Sequence, residues 1–369
     1  MRHIVRRALQ ALCLAAAVAP GAMAQTSTSS YRPGLTPEGA VYFLPKTAIR
    51  VSVLVEKCTY TPGDFAPYAL RYLRIGDVRQ QPKTTFSVVG ISQVAMPEAD
   101  TTKAYAVKFD ARTVASRLTL SKDGRLLGIN VEEATDVEAP ARFTAAKRSA
   151  PVNPRQFMGE EILSCGSTAK MAELTAHEIY DLRENRSLLI KGQADFMPKD
   201  GMQLQLMLGE LDTQDKALTS LFTGTMQRDT TEHILWVTPD GPFPRQVLFR
   251  LSQVHGLVDA DDLSGAPFYI SIDNLTELPA AEEPAKPKKG LGLLNSKKGE
   301  AGIFVNVPGR MRSTIYDGIT PIASDELAAP QLGRTQLLSG SLFNKRYTTR
   351  MLLDPLTGAL QRLDADQPK

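Results

Sequence analysis

Between Ile49 and Lys57 a β-branched side chain returns at every second position, as Val51, Val53 and Val55. A period of two puts all three on one side of an extended chain, so this stretch reads as a strand with one buried face. The same signature recurs at residues 41–44, 85–92, 104–109, 233–237, 246–251, 268–272, 303–308 and 310–316. Pro45 is expected to interrupt the first of these runs and Pro62-Gly63 to end the next. In residues 117–129, Leu118 and Leu120 alternate into Lys122-Asp123-Gly124, and Leu126, Leu127 and Ile129 lead out. Asp-Gly supplies the positive φ of a hairpin turn. A last hairpin, 350–363, turns at Asp354-Pro355-Leu356-Thr357-Gly358, after a turn region at 325–333.

Two stretches obey a different period. Residues 167–191 contain neither Pro nor Gly, set Ala172, Ala176, Ile179 and Leu182 on one side, and stop at Gly192. A second helix is expected over 201–222, with Leu204, Leu208, Leu211, Leu218 and Phe222 at helical spacing, Gly224 as its stop and Asp212 as a candidate break. The two would pack as an antiparallel pair. A short helical stretch, 65–75, closes at Gly76. The fold class is therefore α+β, predominantly antiparallel β, with N- and C-terminal β-rich modules and a central helical pair. The expected organisation is a signal peptide at 1–24, a flexible lead-in at 25–40, an N-terminal β-rich module at 41–150 and a central α+β region at 151–279 holding helices at about 168–191 and 201–222. An exposed loop or linker at 280–301 and a C-terminal β-rich module at 302–369 complete it. Phe43-Leu44-Pro45 echoes Asn306-Val307-Pro308, and Arg117-Leu118-Thr119-Leu120 before Asp-Gly echoes Arg350-Met351-Leu352-Leu353 before its own glycine, which suggests a duplicated β module.

Arg2, Arg6 and Arg7 precede an apolar run at 8–19 and the small-x-small pattern Ala22-Met23-Ala24, the features of a secretory signal cleaved between Ala24 and Gln25. That run falls short of the ~20 residues a membrane-spanning helix needs, and no later stretch comes closer. Cys13 follows Gln10 and Leu12 where a lipid-attachment motif needs Leu and a small residue, so no lipid anchor is expected. The expected location is periplasmic or secreted. Without the three leader arginines the 43 basic side chains become 40, against 40 acidic ones. A neutral chain offers no electrostatic case for nucleic acid or an anionic membrane. Cys58 and Cys165 remain in an oxidising space, where they form one disulfide or stay as two unpaired thiols; a reactive thiol near His177 is the third reading.

Reactive constellations are sparse. His177-Glu178-Ile179-Tyr180-Asp181 starts like a zinc-protease helix but has Asp181 where a second His belongs. Glu173, His177 and Asp181 share one helical face, which is either a metal site or an exposed charged face. Ser252, His255 and Asp259 lie too close in sequence to read as a triad, and Gly290-Leu291-Gly292 lacks the third glycine of a dinucleotide loop. Trp236 is expected in a core or half-buried position rather than as a sugar platform. Phe222 and the run from Arg183 to Arg186 read as fold-bearing, the two arginines clamping carbonyls or acids. Neither a metal nor a cofactor is predicted. The expected function is non-catalytic binding of an envelope protein or a glycan through the β modules; the alternative is a carboxylate- or metal-dependent hydrolase of the cell envelope.

Several phrases point to a known family. Phe43-Leu44-Pro45-Lys46-Thr47, Glu56-Lys57, Pro62-Gly63, Tyr68-Ala69, the helix phrase Ile179-Tyr180-Asp181-Leu182-Arg183-Glu184-Asn185-Arg186, Leu221-Phe222-Thr223-Gly224 and Thr357-Gly358-Ala359-Leu360 resemble the exported Bacteroidetes family known as domain of unknown function 4831. The resemblance covers about residues 41–363. It implies a bacterial envelope location and carries no functional residue. In that phylum the periplasm hosts O-glycosylation at Asp-(Ser/Thr)-small or apolar triplets, which makes Thr101 in Asp100-Thr101-Thr102 and Thr230 in Asp229-Thr230-Thr231 candidate acceptors, or members of ordinary polar turns.

Overall fold

The computed structural model describes residues 27–32, 39–108, 117–146, 152–277, 300–339, 342–343 and 348–366. In chain order it contains β1 (Ser27–Ser30), β2 (Ala40–Thr61), α1 (Ala69–Leu73), β3 (Lys83–Lys108), β4 (Leu118–Leu120), β5 (Leu126–Ile129), α2 (Glu160–Leu163), α3 (Thr168–Lys191) and α4 (Gly201–Thr223). There follow β6 (Thr225–Val237), β7 (Phe243–Ser252), β8 (Gly256–Val258), β9 (Ala266–Asn274), β10 (Glu300–Asp317), β11 (Thr320–Ser339), β12 (Thr348–Leu353) and β13 (Leu360–Asp366). The strand ladders are antiparallel and build three sheets, in the orders β6-β2-β3-β1, β11-β10-β9-β7-β8 and β13-β12-β5-β4. β1 pairs with both β3 and β10 and joins the first two sheets edge to edge. Its residues Ser27–Ser30 fall within the stretch expected to be a flexible lead-in.

The alternation in β2 does what its period dictates. Ile49, Val51, Val53 and Val55 are at most 2 % exposed and pack against Phe249, Phe268, Ile270 and Ile272 of the second sheet. Burying side chains of this size yields roughly 2 kcal/mol each, which fixes the face-to-face packing. A second core gathers Tyr42, Leu44, Ile303, Val305, Met351 and Leu353 between the far ends of β2 and β10 and the third sheet. The third core is helical: Ala172, Ala176, Ile179 and Leu182 of α3 meet Leu218, Leu221 and Phe222 of α4, with Phe65, Ala69 and Ile162 beside them.

The strands are longer than expected. β2 runs unbroken for 22 residues through Pro45, because β6 flanks it only from Ile49 onward and leaves that part of the strand open on one side. β3 joins two expected strands into one of 26 residues, absorbing the irregularity as a bulge in which Leu44 faces Asp100 but Phe43 faces Ala104. β10 likewise continues past Pro308 with a register shift, and the expected turn region at 325–333 is β11, zipped along β10. α1 ends at Arg74, whose φ of 58° makes the left-handed stop in place of Gly76. α4 passes Asp212 without a break, since that carboxylate accepts a 2.7 Å hydrogen bond from Arg186 Nε.

Arg183 and Arg186 thus clamp acids across the helical pair. Arg183 Nη2 lies 3.0 Å from Asp215, and both side chains are partly exposed. Arg183→Ala is expected to cost about 0.5 kcal/mol, as exposed pairs do, and a thermal melt lowered by about 1 °C would show it.

The echo between the two ends is structural. Phe43 N donates to Gly124 O at 3.0 Å, and Asn306 N donates to Gly358 O at 3.1 Å. Each bond joins the residue two places before the strand proline to the hairpin glycine that follows, and both glycines have positive φ. The halves also touch: Asn306 Nδ2 donates to Pro45 O and Thr357 O, and β5 pairs with β12.

Candidate functional site

The sequence candidates occupy separate places. On α3, Glu173 accepts a 3.1 Å bond from Lys170, while His177 and Asp181 are exposed. Among the described residues no group of three His, Cys, Asp or Glu side chains converges as a metal site would require. Cys58 on β2 and Cys165 after α2 are free thiols, the latter donating to Glu161 O. Thr101 is exposed on the β3 bulge, beside Asp100, whose Oδ1 accepts from Thr102 N and Oγ1. Thr230 is half-buried within β6. The cleavage site at Ala24 and Gln25, together with the expected loop at 280–299, lies outside the described residues. Trp236 departs from expectation: it is 57 % exposed on β6, because its position falls on the face of the first sheet turned away from the core.

Buried charge is committed to tying the chain together. Arg50 reaches Glu232 Oε1 at 3.3 Å and Pro140 O at 3.2 Å, and Glu232 also accepts from Ser52 Oγ and from Phe143 N. These bonds strap the acidic connector after β5 onto the first sheet. The Ser52 hydroxyl and then the Phe143 amide hold the Glu232 carboxyl below the usual range. Burial pushes the Tyr42 phenol up, while its oxygen bonds to the Phe304 backbone.

The most distinctive surface is apolar. The helical core covers α3 only as far as Leu182, after which Leu189 alone is buried, and α4 buries nothing before Ala217. The remaining turns project as a two-helix tip. Gly192, at φ 70°, closes α3, and Asp200 Oδ1 caps α4 by accepting from Gln203 N at 2.7 Å. On this tip Ile190 is 55 % exposed, Phe196 69 %, Met202 83 % and Leu206 74 %. A groove of about 450 Å³ runs between the helices, floored by Leu188, Leu189, Met207 and Leu211 and rimmed by Asp195 and Glu210.

Sequence reasoning placed Leu204, Leu208 and Leu211 on a core-facing stripe and passed over the second stripe. The available signal was Met202 and Leu206, spaced i,i+4 beside that stripe, with Phe196-Met197 in the preceding turn. Methionine side chains make an apolar surface adaptable in shape.

The family model for the domain of unknown function DUF4831 matches residues 38–361. No curated protein and no solved structure matches the chain. The chain belongs to the DUF4831 family.

Proposed function

We propose that this DUF4831 protein is an exported, periplasmic or secreted, non-catalytic binding protein whose helical tip holds a partner protein. The observation that carries the reading is the exposure of Ile190, Phe196, Met202 and Leu206 on one two-helix tip, where a helical hairpin that served only the fold would have presented polar side chains. The leader Arg2 to Ala24 supports export. The partner offers an apolar surface to Met202 and Leu206, which lie one helical turn apart on α4 and are the most exposed apolar side chains of the tip.

The test is a pull-down from the native host with the wild-type chain and with the Met202→Glu/Leu206→Glu variant. One partner recovered in stoichiometric amount with wild type, and at least about tenfold less with the variant, is the expected result. The variant's melting temperature should match wild type, because both side chains already face solvent. Equal recovery with both chains would overturn the assignment to the tip.

A further inference from the structure

Edge strands invite pairing, and folded proteins usually blunt them with proline, lysine, bulges or brevity. Among the described residues the other sheet edges are short or irregular: β4 and β8 have three residues each, β13 pairs with β12 through a register shift, and β11 carries Pro321, Pro330 and two register shifts against β10. β6 is different. Its 13 residues contain no Pro, carry Arg228, Asp229 and Glu232 as their charges, pair with β2 in one unbroken register from Thr225 to Val237, and among the described residues have β2 as their sole strand partner.

We propose that β6 is the interface between two copies of this chain, paired antiparallel about a two-fold axis at Thr231. A two-fold is self-complementary, so each facing pair occurs twice and the register can be judged from the sequence of the strand. Centred on Thr231, Met226 faces Trp236 of the second copy, and Asp229 faces His233 of the second copy. The first pair joins two apolar side chains that are 60 % and 57 % exposed in the single chain, on the outer side of the sheet. A thioether against an indole is a favourable contact. The second pair sets a carboxylate against an imidazole on the opposite side of the sheet. Moving the centre to Glu232 would set Glu232 against itself, and like charges directly opposite destabilise a ladder. A centre at Thr230 would set Arg228 against Glu232, whose carboxylate already serves Arg50, Ser52 and the Phe143 amide. Thr231 is the centre at which both exposed apolar side chains and both ionisable partners meet. The resulting first sheet is continuous across the two copies.

Sedimentation velocity and the fluorescence of the single tryptophan test this on the chain from Gln25 onward. At concentrations on the order of tens of micromolar a dimer is expected, with Trp236 emission shifting to shorter wavelength as the dimer forms. Asp229→Arg acts twice across the axis and is expected to weaken the dimer by about tenfold or more, and the swap Asp229→His/His233→Asp to restore it. With Cys58→Ser and Cys165→Ser in place, Thr231→Cys should link two copies by a disulfide under mild oxidation, while Thr230→Cys should not. A monomer at every concentration, or a dimer indifferent to Asp229→Arg and unlinked through Thr231→Cys, overturns the proposal. A dimer formed instead through the tip would be lost in Met202→Glu/Leu206→Glu and kept in Asp229→Arg, which separates failure here from failure of the tip reading.

Discussion

Replacing Phe222 with alanine is expected to lower the free energy of unfolding by about 4 kcal/mol, the range found for truncating a fully buried aromatic side chain. Phe222 is 0 % exposed in the last turn of α4, and its ring lies 5.4 Å from that of Phe65. Phe65 N in turn donates to Leu221 O at 2.8 Å. A side chain on Gly63 could not be accommodated, since its Cβ would fall 2.1 Å from Leu221 O. The end of β2 and the end of α4 therefore approach backbone to backbone, and the surrounding atoms have little room to collapse into the space the ring leaves. Urea unfolding should show a lower midpoint with an unchanged slope. A loss under about 1 kcal/mol would mean that the helical layer is held by something other than this junction. The contrast with Met202 and Leu206 on the same helix, where substitution should leave stability unchanged, separates the half of α4 that builds the fold from the half left exposed.

That division shows what could and could not be read in advance. The limits of α3 were legible, because a run free of Pro and Gly that ends at a glycine leaves few alternatives. The clamp by Arg183 and Arg186 was legible as a type of contact, with Asp215 and Asp212 supplied by the fold. Strand length was not, since Pro45 and Pro308 look like breaks until it is known that one side of the strand is open or that the register shifts nearby. The tip was illegible for a different reason: a leucine at helical spacing looks the same whether or not another element covers it. Arginine is misread in the opposite direction. By composition it belongs on the surface, yet Arg50 and Arg125 are buried, because each is surrounded by acceptors from other segments.

Arg125 carries the second large expected effect. It is 4 % exposed, and its three guanidinium nitrogens serve three segments. Nε bonds both Asp123 oxygens at 2.7 and 2.8 Å, Nη2 bonds Asp136 at 2.9 Å, and Nη1 donates to Pro355 O at 2.8 Å. The β4-β5 turn, the connector and the β12-β13 turn thus meet at one side chain. Arg125→Ala leaves two carboxylates and a carbonyl without their donor and is expected to cost about 3 kcal/mol. The cost sits at the lower end for a broken buried pair because Asp123 and Asp136 are 39 % and 34 % exposed and water can reach them. Lysine should not restore it, since a single ammonium cannot span three acceptors. Acid should narrow the difference. Burial acts to raise the Asp123 pKa, but hydrogen bonds from Arg125 and Ser121 and the Arg125 charge outweigh it, so the folded value lies below the ordinary one. A depressed carboxylate pKa contributes stability that is fully present above the unfolded value near 3.9 and is lost as pH falls through the folded value. Between pH 6 and pH 3 wild type should therefore lose more stability than Arg125→Ala. Guanidinium unfolding at the two pH values reads this directly, and a gap between the proteins that stayed constant would mean that Asp123 draws nothing from Arg125 in the folded chain.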